Sequence, residues 1–249
     1  MEKLNPEIIR GKNLDACYAA ITRDFQGLIQ GSIERKGYAT IALSGGRTPA
    51  GLFEAIAHSP TIIDFPWHKV FIFFVDERVV SPDHLESNYS LFRTHFMAYL
   101  PLVESQVFRM PVEIKPLSVA ASHYQQTMVE VFSSLTKREK PYSDDQFPVF
   151  DLILLGMGQD GHTASLFPGH SALSQRKWVA AVEADQAVPP VPRLTLTFPV
   201  INHADTVIFL INGEEKVRLA ESFLSNISQE NYPASLVNPK RRLLWYLAQ

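Results

Sequence analysis

The sequence contains a single cysteine, no apolar run long enough to cross a bilayer, no low-complexity tract, no internal repeat and no surplus of positive charge. Each absence closes a class of function. One thiol, Cys17, cannot form a disulfide within the chain. It falls on the apolar stripe Leu14, Tyr18, Ile21, Phe25 and Leu28, the setting of a buried thiol rather than a nucleophile. The longest apolar runs, such as Val70 to Val75, are far short of the ~20 residues of a membrane helix. The start Met1-Glu2-Lys3-Leu4-Asn5-Pro6 has no secretory h-region. The expected location is therefore the cytoplasm, with no membrane partner. A net charge of −3 argues against a nucleic-acid partner, so an anionic ligand has to be held by basic residues gathered locally. Neither H-E-x-x-H nor paired Cys/His spacing occurs, and no metal is expected.

What the chain does have is core-forming material. With 249 residues and 46% hydrophobic content, one α/β domain spanning residues 1–249 is expected. Helical periodicity runs from Leu14 to Lys36, with Asn13 as cap and Gly37 as stop. A β-prone run, Tyr38 to Leu43, is broken by Ser44-Gly45-Gly46-Arg47-Thr48-Pro49 before a helix carrying Leu52, Phe53 and Ile56. The alternation continues with a strand at Val70 to Val75, a helix at Ser87 to Leu100, a brief strand at Gln106 to Met110 and a helix at Ser118 to Thr136. Further strands are expected at Val149 to Leu155, Trp178 to Val182, Leu194 to Phe198, Thr206 to Ile211 and Leu243 to Leu247. Apolar strands alternating with helices imply a mainly parallel, Rossmann-like sheet covered on both faces. The polar segment Lys137 to Pro148 reads as an exposed loop or a weak boundary.

The unusual residues fall just after strands, where open sheets bind ligands. In Ser44-Gly45-Gly46-Arg47-Thr48 the backbone can approach an anion, helped by a helix N-terminus, a guanidinium and a hydroxyl. An ordinary βα turn with a capping threonine would look the same. Asp76-Glu77-Arg78 ends the next strand, and Ser87, ahead of Asn88 and Tyr89, reads as a helix cap. The segment Gly156-Met157-Gly158-Gln159-Asp160-Gly161-His162-Thr163-Ala164-Ser165 contains G-x-G-x-x-G, with Glu183 or Asp185 about 20 residues later as a dinucleotide site requires. Asp160 and the short span before Pro168 speak against that reading. Among eight histidines, His162 alone combines a glycine neighbour, a nearby carboxylate at Asp160 and a place after a strand. A metal held by His162, Asp160, Asp76 and Glu77 is conceivable from these residue types, without a supporting spacing. Arg193 and Lys216 add cations beside two further strands.

These blocks, in this order and joined by Leu166-Phe167-Pro168-Gly169 and Pro192-Arg193-Leu194-Thr195-Leu196-Thr197, resemble the 6-phosphogluconolactonase family over about Thr40 to Lys216. The related glucosamine-6-phosphate deaminases share Asp-Gly-His but carry Tyr where Arg78 stands. Many relatives have Ser in place of Arg47. The resemblance implies a fold of the ribose-phosphate isomerase and glucosamine-phosphate deaminase type, no metal, and hydrolysis of 6-phosphogluconolactone to 6-phosphogluconate in the pentose phosphate route.

Lactone opening needs a base for water, donors for the oxyanion and an acid for the leaving oxygen, and one imidazole can make both proton transfers. His162 is the expected base and acid, and Asp160 its orienting partner. Arg78 or the glycine-loop N–H groups are the expected oxyanion donors. Ser44, Gly45, Gly46, Arg47, Thr48, Asp76, Asn88, Gly158, Arg193 and Lys216 are expected to hold a sugar-phosphate lactone, without a cofactor, in a monomer or weak homodimer. An isomerase or deaminase of the same fold, a sugar-phosphate sensor and a dinucleotide-dependent oxidoreductase are the alternatives.

Overall fold

The computed structural model describes residues 3–248 apart from residues 63, 141, 144, 185, 186 and 226–231. Asp185, Met1, Glu2 and two positions of the polar segment 137–148 thus lie outside the described residues. Ten strands and six α-helices follow in chain order: β1 (Glu7–Gly11), α1 (Leu14–Lys36), β2 (Ala39–Leu43), α2 (Arg47–Ala57), β3 (Val70–Phe74), β4 (Asp76–Arg78), α3 (Asn88–His95), β5 (Val107–Phe108), α4 (Leu117–Leu135), β6 (Leu152–Leu155), β7 (Val179–Val182), β8 (Arg193–Leu196), α5 (Phe198–Ile201), β9 (Thr206–Asn212), α6 (Glu214–Leu224) and β10 (Arg242–Ala248).

Seven strands form one sheet in the order β1-β10-β9-β6-β2-β3-β5, and every neighbouring pair in it is parallel. Its central strand β6 and the neighbouring β2 are buried along their whole length, as strands covered on both faces must be. Successive residues of a strand face opposite sides. Phe73 meets Phe132 of α4 at 5.5 Å between ring centroids, whereas Phe74 meets Phe92 of α3 at the same distance. Helices therefore cover both faces. At the far side of the sheet Tyr246 bonds Asp24 of α1, and its neighbour Trp245 packs against Phe223 of α6.

Local chemistry explains most of the boundaries. Asn13 caps α1 by accepting from Ala16 N, and Gly37 ends it at φ 86°. The helix expected to run from Ser87 to Leu100 is shorter. Ser87 is its cap, α3 ends at His95, and Leu100 is extended because Pro101 follows it. The strand expected to reach Phe198 stops at Leu196, since Pro199 starts the short helix α5. The described residues of segment 137–148 are irregular and mostly exposed.

The sequence reading did not foresee the second sheet. Strands β4, β8 and β7 form a three-stranded antiparallel unit beside the main sheet. Val75 is the hinge between the two: its N–H donates to Leu43 O of the main sheet, and its carbonyl accepts from Leu196 N of the small one. The charged triplet after β3 therefore does not simply surface but becomes a strand.

Asp151 closes the opposite, amino-terminal rim of the main sheet. Its buried carboxylate accepts from Thr40 N at 2.7 Å and Thr40 Oγ1 at 3.0 Å, and pairs with Lys36 Nζ at 2.9 Å. Asp151→Ala should lower unfolding free energy by about 1–3 kcal/mol, the usual cost of leaving buried donors unpaired. Denaturant titration measures this, and ligand affinity should not change, because the carboxyl ends of the strands are untouched.

Candidate active site

Strands β2, β3, β6 and β9 run parallel, so the segments that follow them emerge at one rim. After β2 the chain enters α2 through Gly46, whose φ of 112° makes the turn. No side chain caps that helix, so its first N–H groups lack a side-chain acceptor. The helix begins at Arg47, two residues before the expected Pro49. After β3, strand β4 sets Asp76 opposite Thr195 and Arg78 opposite Arg193 of β8. After β6 comes the glycine loop that carries His162, and after β9 the start of α6 carries Lys216. The Ser44–Thr48 loop, Asp76, Arg78, Asn88, Gly158, His162, Arg193 and Lys216 line a single cleft of about 680 Å³. Every site residue expected from the sequence is in this lining except Asp160, which reaches the cleft through His162.

His162 Nδ1 and Asp160 Oδ1 lie 2.5 Å apart, and the same oxygen accepts from His162 N at 3.2 Å. Partial burial pushes the Asp160 carboxyl up, but the hydrogen bonds and charge of His162 outweigh it and hold the group below its usual range. A carboxylate only accepts, so the shared proton resides on Nδ1 and Nε2 is the basic nitrogen. The imidazole also packs on Phe167, 4.6 Å between centroids, and the Arg193 guanidinium lies 5.9 Å over the same ring. Gly158 makes room for this pair. A Cβ there would stand 2.2 Å from two atoms of the His162 ring and 2.6 Å from Asp160 Oδ1. The Gly158 N–H donates to His162 O, and Gly161 N–H donates to Gly158 O, so these two amides are already engaged.

The cations are held with unused capacity. Arg78 Nη1 donates to Glu86 O at 2.7 Å, and Arg193 Nη2 donates to Pro189 O at 3.1 Å, yet Nε of each is buried without a partner. Ser44 Oγ and Asn88 Oδ1 are in the same condition. Unpaired buried polar groups are costly, and here four of them belong to residues of one cleft. Burial depresses the Arg193 guanidinium, with Asp76 opposing and Arg78 reinforcing the shift. Burial also lowers the Lys216 amine, helped by Arg47 and opposed by Asp160.

Asp76 and Glu77 have different tasks. Asp76 lines the cleft and accepts from Ser165 Oγ at 2.7 Å and Asn88 Nδ2 at 3.2 Å. Glu77 accepts from Arg78 N, Asn88 N, Tyr89 N and Ser87 Oγ, and so pins the start of α3 from beneath. It is therefore not available as a metal ligand. Among the described residues no three His, Cys, Asp or Glu side chains converge. The dinucleotide reading fails on geometry as well: turns and a bridge follow Gly161, with no helix to present to a pyrophosphate. The lining also holds residues that the sequence reading did not assign to the site, Ala164 and Tyr18 among them. Ala164 has a left-handed φ of 51°, and Tyr18 was read only as part of the α1 stripe.

Gly158→Ala should cut turnover at least about 100-fold, because the added methyl evicts the imidazole from its place beside Asp160. Steady-state kinetics should show the loss with little change in melting temperature, since the clash falls on the partly exposed His162 and Asp160 side chains and not on the core.

Comparison with known proteins shows the family. The model of the glucosamine-6-phosphate isomerases/6-phosphogluconolactonase family matches residues 12–245. The 6-phosphogluconolactonase of Nostoc sp. is 38% identical over 217 residues, covering 87% of this chain and 84% of that protein. That of Synechocystis sp. is 37% identical over 219 residues, with 88% and 85% covered. Among solved structures, 6-phosphogluconolactonase from Trypanosoma cruzi superposes with a TM-score of 0.84 at 27% identity, covering 99% of this chain and 96% of that one. The family match runs from α1 into β10 and includes every segment of the cleft: this chain belongs to the glucosamine-6-phosphate isomerase/6-phosphogluconolactonase family.

Proposed function

We propose that this chain hydrolyses 6-phospho-D-glucono-1,5-lactone to 6-phosphogluconate, in the oxidative branch of the pentose phosphate pathway. It works as one domain over residues 1–249, in the cytoplasm, as a monomer or weak homodimer. The observation that carries the reading is the meeting of a carboxylate-oriented imidazole and a set of basic side chains in one cleft. No helix among the described residues is long and apolar enough to cross a membrane.

In this reading Nε2 of His162 takes a proton from water as the water oxygen bonds to C1. Asp160 keeps the imidazole in its reactive tautomer and stabilises the imidazolium that forms. Negative charge grows on the carbonyl oxygen. With the Gly158 and Gly161 amides engaged, Arg78 is the favoured donor to it. As the bond from C1 to the ring oxygen breaks, the imidazolium returns its proton to that oxygen. Water is the only co-reactant. The phosphate does not react: the Ser44–Thr48 loop, Arg193 and Lys216 hold it, so that remote binding energy places C1 beside His162. Asp76 and Asn88 form the wall between the two ends.

An isomerase or deaminase of this fold would release ammonia from glucosamine 6-phosphate, and none is expected here. His162→Ala should fold normally and lose about 10²–10⁴-fold in turnover, the usual worth of general acid–base catalysis. The assay must subtract the spontaneous opening of the lactone, and near-normal turnover would refute the role of His162. Arg193→Ala should mainly raise KM. The lowered Lys216 amine gives the alkaline side of the profile its sign. As pH rises through that depressed pKa the cation is lost, so KM should climb below the ~10.4 of a free lysine. Lys216→Arg, which keeps its charge, should move the climb to higher pH.

A further inference from the structure

Tyr18 is not part of any of the loops that carry the chemistry. It projects from the second turn of α1, the helix whose buried face packs on the core, and with Leu14 it lines the cleft that the Ser44–Thr48 loop also lines. Its hydroxyl donates to Thr48 O at 2.9 Å. Thr48 is the second residue of α2, the helix whose first N–H groups have no side-chain cap and whose cap residue, Gly46, contributes no side chain. Within the Gly46–Thr48 turn the Gly46 carbonyl accepts from Ala50 N, but no side chain caps the amides and fixes where they aim. The bond from Tyr18 ties the Thr48 peptide to the much longer helix α1.

A second feature shows that the contact is built in. Gly51, one turn into α2, lies under the phenol. A Cβ at that position would come within 2.5 Å of the Tyr18 hydroxyl oxygen and 2.9 Å of two ring carbons. The tyrosine can reach Thr48 only because residue 51 has no side chain. Burial, with Asp15 and Glu54 adding to it, pushes the Tyr18 phenol above its ordinary range, so it remains a protonated donor at neutral pH.

We infer that Tyr18 is a positioning residue for the anion-binding end of the cleft: through Thr48 it aims the uncapped first turn of α2 at the phosphate of the substrate. The inference rests on the phosphate being bound by the Ser44–Thr48 loop, as proposed above. It gives a residue outside the sequence blocks of the site a task in substrate affinity and none in the proton transfers. Removing the hydroxyl leaves the fold and the imidazole in place and loosens only the grip on the phosphate.

The test uses inorganic phosphate as probe, so that it does not depend on lactone turnover. Calorimetric titration of the full chain should show a dissociation constant for phosphate raised about three- to tenfold in Tyr18→Phe, the effect of losing one ordinary hydrogen bond. Gly51→Ala, which displaces the phenol from the other side, should show a rise of the same order. In steady-state assays of Tyr18→Phe with the phosphorylated lactone, KM should rise by the same factor at unchanged kcat. A purely structural tyrosine would lower the melting temperature and leave the phosphate constant alone. An unchanged phosphate constant in Tyr18→Phe overturns the inference, as does a wild-type chain with no measurable phosphate binding. A wild-type chain that binds phosphate but does not open the lactone would instead refute the proposed activity and leave the Tyr18 comparison decisive on its own terms.

Discussion

An imidazole ring occupies the space where a side chain at residue 158 would otherwise stand, and the rest of the site is arranged around that contact. Gly158 lets the His162 ring lie close against the backbone, Asp160 accepts the hydrogen bond from its Nδ1–H, and Phe167 packs on the ring. The loop consumes its own amides in the process, since Gly158 N–H is donated to His162 O. In the proposed mechanism, the contacts that hold the base thus leave these two amides engaged and unable to serve the oxyanion. The second sheet supplies what the loop gives up: its ladder sets Arg78 and Arg193 side by side, each with a buried and unpaired Nε.

The hinge at Val75 is what allows the two sheets to share a cleft. A strand that leaves the main sheet after β3 and pairs at once with β8 carries its charged residues across the rim instead of into solvent. The buried carboxylate of Glu77 fixes that arrangement by gathering four donors from β4, the cap of α3 and its first turn. Burial drives its pKa upward, and the donors oppose that shift. Such a group is costly to bury unless its partners are in place, so it specifies one position for α3 and, through Asn88, one wall of the cleft.

Much of this was legible in the residues. Asn13 and Gly37 marked α1, and the apolar runs marked β2, β3, β6, β9 and β10, because caps and continuous burial are local signals. What escaped depends on pairing over long sequence distances. β1 is a short edge strand with only two isoleucines to announce it, and β4 consists of three charged residues that no propensity would call a strand. Glu77 looked like a site residue because composition cannot distinguish a carboxylate facing a ligand from one capping a helix. Tyr18 was hidden in the opposite way, as an aromatic on an apolar stripe whose hydroxyl finds its partner in another helix. The G-x-G-x-x-G pattern was real as spelling and empty as a dinucleotide site, since the helix that gives the motif its physics does not form.

The central claim is that one ligand bridges the phosphate-holding loop and the oriented imidazole across this cleft. A crystal structure of the chain with 6-phosphogluconate tests it most directly. The account predicts the phosphate oxygens on the Ser44 hydroxyl and the Gly45–Thr48 amides, Arg193 and Lys216, with the C1 carboxylate within hydrogen-bond reach of His162 Nε2. A product whose phosphate sits elsewhere, or whose C1 lies beyond a water's reach of that nitrogen, would contradict it.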